Sequence, residues 1–228
     1  MKIKVIVPIT GLTKEDINAR YEYLRKYAKE STKIDFVVVK NGPKAIETMY
    51  DEIIAGPNIL EEIKRIREEE CDALIIWCAG DPALEAAREL TRVPVIGPGE
   101  SSILLASMLA YKFSVITPSE SSKKLSEKVV KKLGFEPRLV SIKSINMSVL
   151  GLKNREVVLQ KIIEKSKEAI KEGARAIVLG CLGMWGLFEN VQKILNVPVI
   201  DPAVAALKMA ELLYDMHLFF NTDSVQIR

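Results

Sequence analysis

The stretch CDALIIWCAGDPAL, residues 71–84, is matched later in the chain by ARAIVLGCLGMWGL, residues 174–187. In each stretch a short apolar run of β-forming residues leads to a cysteine, and a glycine follows two positions later. The two cysteines, Cys78 and Cys181, are separated by 103 positions. Such a pair of matched stretches predicts that the chain contains the same structural unit twice.

A second pair of motifs supports this duplication. VPVIGP at 93–98 is matched by VPVIDP at 197–202, and their prolines, Pro94 and Pro198, lie 104 positions apart. Apolar strands resemble each other by chance, but a cysteine motif followed at matched distance by Val-Pro-Val-Ile does not. We therefore infer two homologous halves.

Short β-branched runs alternate along the chain with longer segments of helical period. The strand runs and following helical segments are IKVIVP with 14–30, DFVVV with 57–69, ALIIW with 82–90 and PVIG with 101–110, and then YKFSVITPS, PRLVSI and the helix 156–172. This order predicts an α/β fold of two pseudo-symmetric halves, each a parallel sheet with helices on both faces. Turn chemistry agrees, because Thr13 and Asp16 resemble a capping box and Gly134 ends a lysine-rich helix.

Composition bounds the class of protein. The 228 residues suffice for one large α/β domain or two small ones. Lys+Arg number 33 and Asp+Glu 30, which gives a net charge of +3 and no field of one sign that would hold nucleic acid or a membrane. No apolar run reaches spanning length, and the first residues show a strand pattern without a cleavage-site signature. We expect a cytoplasmic protein with no nucleic-acid or membrane partner.

The number and spacing of the cysteines and the single histidine limit which kinds of site the chain can form. Cys71, Cys78 and Cys181 are odd in number and lack CxxC spacing, which disfavours a disulfide framework and a zinc site. His217, the single histidine, is interpreted as an ordinary residue on a terminal helix. Cys71 is unmatched in the repeat, where Ala174 takes its place, so we expect it only to pack. No metal site is predicted.

The two matched thiols lie where parallel sheets bind ligands, at the carboxyl ends of strands. If the halves face each other about a pseudo-twofold axis, Cys78 and Cys181 approach one cleft from opposite sides. Each precedes small residues and an expected helix start, with Asp81 able to cap that helix and Pro82 suited to its first position. Free amides at a helix start bind an enolate oxygen and lower the pKa of a thiol toward neutrality.

Two such thiols fit proton exchange at one carbon without a cofactor. One thiolate takes an α-proton from one face, the other thiol returns a proton to the opposite face, and backbone amides hold the enolate between them. The result is racemisation or epimerisation. Trp77 and Trp185 flank the thiol loops, and the sequence leaves open whether they wall the pocket or only pack.

These motifs resemble those of the aspartate/glutamate/hydantoin racemase superfamily along nearly all of the chain. CAGDPAL and GCLGM are similar to the two catalytic-cysteine motifs of its hydantoin racemase branch. PVIGPGESS, FSVITP and VPVIDPAVAA are similar to further motifs of the superfamily, in the same order along the chain. The resemblance implies cofactor-independent two-base catalysis by Cys78 and Cys181 on a small molecule such as a 5-substituted hydantoin.

The resemblance also implies an architecture and a set of ligand contacts. It implies two domains of four-stranded parallel sheets that exchange their last helices, with 1–97 plus 204–228 as the first domain and 98–203 as the second. The implied substrate-binding residues are Pro8, Thr10, Gly80, Asp81, Thr117, Gly183 and Met184. A homo-oligomer, a dimer or higher, is expected because closed symmetric assemblies dominate.

Two departures from the family pattern leave the substrate open. The Asn-Pro-Asn-Thr stretch of the branch is replaced by Val7-Pro8-Ile9-Thr10, and Ala79-Gly80 stands where amino-acid racemases of the superfamily carry Asn-Thr. An aspartate or glutamate racemase and a maleate isomerase-like enzyme remain alternatives. A non-catalytic small-molecule binding module is the alternative outside enzymes.

Overall fold

The computed structural model describes residues 1–218, in which strands and helices alternate as the sequence predicts. The strands are β1 (Lys2–Val7), β2 (Lys33–Val38), β3 (Ala73–Ile76), β4 (Val95–Ile96), β5 (Phe113–Thr117), β6 (Leu139–Ser144), β7 (Ala176–Leu179) and β8 (Val199–Ile200). The helices are α1 (Lys14–Arg25), α2 (Met49–Arg65), α3 (Leu84–Arg88), α4 (Pro98–Leu109), α5 (Lys123–Lys132), α6 (Arg155–Lys171), α7 (Phe188–Leu195) and α8 (Pro202–Asp215).

The strands form two four-stranded sheets with the same topology. Their orders are β2-β1-β3-β4 and β6-β5-β7-β8, and every pairing is parallel. Every residue of β3, β5 and β7 is buried, as expected of central strands covered by helices on both faces. The predicted fold class, two pseudo-symmetric α/β halves, is confirmed.

Two helices have boundaries that differ from those predicted from the sequence. Helix α2 begins at Met49 rather than at 57, because Thr48 and Asp51 form a capping box there and Pro57 lies inside the helix instead of at its start. The helix predicted over 82–90 is reduced to α3, since Asp81 and Ala83 both have left-handed backbone angles. The Thr13–Asp16 capping box is present as predicted.

Two helices follow a strand of one sheet but pack against the other sheet. Helix α8 packs Ala203, Ala206 and Leu207 into the core beneath β1 and β3, on the first sheet. Helix α4 instead packs Ile103 and Ala106 against strands of the second sheet. Each of these helices therefore packs on the sheet of the other half, which is the packing that the predicted exchange of helices requires. The division into 1–97 plus 204–228 and 98–203 stays a prediction, and residues 219–228 lie outside the described part.

No helix within residues 1–218 is long and apolar enough to cross a membrane.

Candidate active site

A cavity of about 70 Å³ lies between the two sheets, at the carboxyl ends of their central strands. Cys78 and Cys181 both line it, and they follow the equivalent strands β3 and β7. Its other lining residues are Pro8, Ile9, Arg20, Ile46, Trp77, Ala79, Gly80, Pro118, Ser122, Leu125, Val149, Gly180, Leu182 and Gly183. The two halves of the repeat thus present their thiols to one space.

A glycine amide lies beside each thiol, two residues further along the chain. The Gly183 amide donates to Cys181 Sγ over 3.3 Å, and the Gly80 amide acts on the Cys78 thiol by lowering its pKa. A side chain on Gly183 would meet Leu152 Cδ1 at 2.6 Å and Cys181 Sγ at 3.4 Å. This crowding explains why the Cys-x-Gly spacing places a glycine beside Cys181.

The expected lowering of the thiol pKa is wrong for the protein without substrate. Burial raises the pKa of Cys78 well above its ordinary value, and the Gly80 amide offsets only part of this. Burial likewise raises the pKa of Cys181 to about 11, although the Gly183 amide and the Arg20 guanidinium lower it. Burial is the main cause, and no α-helix starts directly at Cys78 to oppose it, because α3 begins only at Leu84.

Asp81 caps a different helix from the predicted one. Its carboxylate oxygens accept the Gly99 amide at 2.8 Å and the Glu100 amide at 2.6 Å, at the start of α4. Asp81 is buried, so these bonds tie the loop after Cys78 to the first turn of α4. Asp81 therefore positions the thiol loop and does not cap α3.

In the second half, an aspartate at a different position, Asp201, joins the loop after Cys181 to the start of the next helix. Asp201 is itself the N-cap of α8, where it accepts the Ala203 amide at 2.8 Å, and it also accepts the Gly186 amide at 3.0 Å. Gly97 stands at the matching place in the first half. A Cβ there would lie 2.7 Å from the Asp81 carboxylate, which already occupies the space.

Four of the predicted substrate-binding residues lie at the site or beside it. Pro8, Gly80 and Gly183 line the thiol cavity. Thr10 lines a second, adjoining cavity, and its hydroxyl donates to the Gly42 carbonyl at 3.2 Å.

The other three do not line the thiol cavity, and their contact with a ligand stays a prediction. Asp81 is occupied by the amides of α4. Thr117 is fully buried and donates to the Ser119 carbonyl at 3.2 Å. Met184 is fully buried in the core of the second half. All three lie close to lining residues in sequence, which is why a motif alone places them in the site.

Of the two tryptophans, Cys71 and His217, only Trp77 lines the thiol cavity. Trp77 walls the thiol cavity and packs its ring against Phe36 with centroids 5.5 Å apart. Trp185 lines the second cavity instead. Cys71 is buried in the hydrophobic core of the first half, as expected, and His217 lies beyond the end of α8.

Sequence reasoning missed Pro118 and Arg20. Pro118 follows β5 just as Pro8 follows β1, so aligning KIKVIVPIT with YKFSVITPS already carries a signal for it. Arg20 has no such signal, because it is one of several polar residues on α1. Its guanidinium reaches the cavity only because α1 packs beside the thiol loops.

Comparisons with known proteins agree on one family. The family model "Asp/Glu/Hydantoin racemase" matches residues 18–210. A hydantoin racemase of Pseudomonas sp. (strain NS671) is 43% identical over 219 residues, which cover 95% of this chain and 87% of that protein.

Two solved structures are also similar. An allantoin racemase from Klebsiella pneumoniae is 35% identical, with a TM-score of 0.88 over 98% of this chain and 91% of that one. An allantoin racemase from Pseudomonas fluorescens is 27% identical, with a TM-score of 0.91 over 98% and 95%.

Proposed function

The chain belongs to the Asp/Glu/hydantoin racemase family and is an isomerase of the racemase type, and we propose that it racemises 5-substituted hydantoins or closely related amino-acid derivatives. We propose further that Cys78 and Cys181 exchange the α-proton without a cofactor. The observation that carries the proposal is the placement of both thiols in one cavity, at equivalent strand ends.

In the proposed reaction each thiol serves one face of the substrate. One sulfur, as thiolate, takes the proton from C5, and the electrons move into the adjacent carbonyl to give an enolate. The other thiol gives its proton to the opposite face of C5. The protein then holds the same number of protons as before, with the roles of the two sulfurs reversed, which suits the reverse reaction on the other enantiomer.

The active form of the protein in this proposal carries one thiol and one thiolate. Burial disfavours the thiolate at both positions, so this form is scarce at neutral pH before substrate binds. The pKa of Cys181 is raised less than that of Cys78; burial is the main cause at both, and the Arg20 guanidinium makes a smaller contribution that favours the Cys181 thiolate. Amides from Gly80 and Gly183 stabilise whichever sulfur is charged.

We also propose a cytoplasmic location and a homo-oligomer, a dimer or higher. The three cysteines lie within the described residues and none is in a disulfide, which suits a reducing compartment. Symmetric homo-oligomers are the commonest assemblies of soluble proteins. Cross-linking and light scattering of the purified protein measure the assembly.

The proposed function is tested by circular dichroism of single enantiomers of a 5-substituted hydantoin, after the rate in buffer alone is subtracted. The parent should racemise both enantiomers. Cys78→Ser and Cys181→Ser should each lose a factor on the order of 10² to 10⁴, the usual size of a general acid or base contribution.

Cys71→Ala is the matched control, because Cys71 is buried away from the cavity and the second half carries Ala174 at that place. It should keep the activity of the parent. Full activity in either serine variant, or a parent protein that racemises no hydantoin, would overturn the proposal.

A further inference from the structure

A second cavity of about 330 Å³ opens beside the thiol cavity. The two share four lining residues, Ile9, Arg20, Val149 and Gly183. A molecule with C5 between the thiols can therefore extend a substituent past Arg20 into the larger space. The reaction described above does not use this second cavity.

The second cavity is lined mainly by positive charge. Arg20, Lys44, Lys153 and Arg155 line it, against the single carboxylate of Asp16. That carboxylate is already bonded to the amide and the hydroxyl of Thr13, over 3.0 and 3.2 Å. Within residues 1–218, no ion pair within 4.0 Å involves the first three of these cations.

Arg155 is held in place by the protein itself. Its guanidinium donates to the carbonyls of Gly183 and Trp185, and it stacks over the Trp185 ring at 5.1 Å. Lys44 and Lys153 are exposed at the rim. This leaves Arg20 as the cation that stands at the junction of the two cavities with unused hydrogen-bonding capacity.

The Arg20 guanidinium is only partly satisfied. Nη1 donates to the Asp16 carbonyl at 2.6 Å, but the buried Nε finds no acceptor among the described residues. Burial also lowers the pKa of Arg20 below its ordinary value. Nη2 makes no hydrogen bond within residues 1–218 and is not among the buried unpaired atoms, so it is the nitrogen that can donate a charge-assisted hydrogen bond to an anionic ligand oxygen.

We propose that Arg20 binds a carboxylate on the C5 substituent, so that the preferred substrates are hydantoins of acidic amino acids. This inference rests on the proposed function. The ring then lies between Cys78 and Cys181, the side chain passes Ile9 and Val149, and the carboxylate receives hydrogen bonds from Arg20 in a field strengthened by Lys44 and Lys153.

The test compares 5-(2-carboxyethyl)hydantoin with its neutral isostere, 5-(2-carbamoylethyl)hydantoin. Parent kcat/KM should favour the carboxylate by roughly 10- to 100-fold, the effect of a charge-assisted hydrogen bond. Arg20→Met should remove this preference: kcat/KM falls for both substrates, because the guanidinium also favours the Cys181 thiolate, but it falls roughly 10- to 100-fold further for the carboxylate. Arg20→Lys should restore part of it.

Lys14→Met is the matched control, because Lys14 is an exposed cation on the same helix that lines neither cavity. It should leave the preference of the parent unchanged. Thermal unfolding followed by circular dichroism checks that each variant folds. Equal losses on both substrates in Arg20→Met, or a parent that does not distinguish them, would overturn the inference.

The failure of the proposed function is distinguishable from the failure of this inference. If the parent turns over neither hydantoin, the proposed function fails, and calorimetric binding of the same two compounds decides the inference. Tighter binding of the carboxylate that is lost in Arg20→Met supports the Arg20 subsite, whereas equal binding of the two compounds refutes it.

Discussion

Replacement of Gly99 by alanine should disturb the thiol loop from outside the cavity. A Cβ at position 99 would lie 2.2 Å from the Ala79 carbonyl oxygen and 2.9 Å from Asp81 Oδ2. Cβ atoms essentially never approach other heavy atoms within 3.0 Å. Backbone at Ala79, next to Cys78, must therefore retreat by roughly 0.8 Å, the difference between 3.0 and 2.2 Å.

The expected effect on activity is larger than the effect on stability. A misplacement of about 1 Å at a reacting group costs on the order of 100-fold in rate. Overpacking costs about 1 to 3 kcal/mol, and the better helix propensity of alanine returns about 1 kcal/mol of this. Gly99→Ala should thus lose about 100-fold in kcat/KM and no more than roughly 2 kcal/mol in the free energy of unfolding.

Gly56→Ala is the matched control for this prediction. Gly56 also lies in a helix, but a Cβ there makes only an ordinary contact of 3.6 Å with Ala83 Cβ. It should raise the free energy of unfolding by about 0.5 to 1 kcal/mol and keep full activity. Urea unfolding and racemisation kinetics measure both variants. A Gly99→Ala protein as stable and as active as Gly56→Ala would refute the reasoning.

Two further predictions concern ionisation and a buried hydrogen bond. Because burial raises the pKa of both active-site thiols, to about 11 for Cys181, kcat/KM should rise about tenfold per pH unit between pH 7 and 9. A profile that is flat over this range would show that a thiolate already exists at neutral pH. Tyr23→Phe removes a buried 2.7 Å bond from the Tyr23 hydroxyl to Asp201 and should cost about 1.5 to 3 kcal/mol in urea unfolding. Tyr27→Phe removes an exposed 3.0 Å bond to Glu189 and should cost less than about 1 kcal/mol, so equal losses would contradict the importance given to burial.

The repeat made the architecture predictable. Matched cysteine and Val-Pro-Val-Ile motifs identified equivalent strands, and two sheets with identical strand order follow from them. The same matching placed Cys78 and Cys181 at the same kind of strand end. Alternation of strand and helix patterns is a local signal, so it survives without knowledge of the tertiary contacts.

Contacts between distant segments were not predictable in the same way. Asp81 was expected to cap the helix that follows it, but its partners are the amides of Gly99 and Glu100 in the next βα unit. Local sequence shows a capping residue and not which helix it caps. Arg20 shows the same limit, because its role depends on where α1 packs.

Burial raises the pKa of both thiols, whereas the sequence predicts that it is lowered. Sequence shows that a glycine amide is available beside each cysteine, and each amide does lower the pKa of its thiol. It does not show how much water the packed halves exclude from them. Desolvation exceeds the effect of one amide, so both thiols keep their protons at neutral pH in the protein alone.

The most direct test of the two-thiol account is racemisation of one hydantoin enantiomer in D2O, followed by NMR at early times. The account predicts that the inverted product carries deuterium at C5, because the second thiol has exchanged with solvent before it delivers its proton. The starting enantiomer that remains should still hold protium at C5. An inverted product that retains the original protium would contradict the account, since a single base would then have carried the same proton from one face to the other.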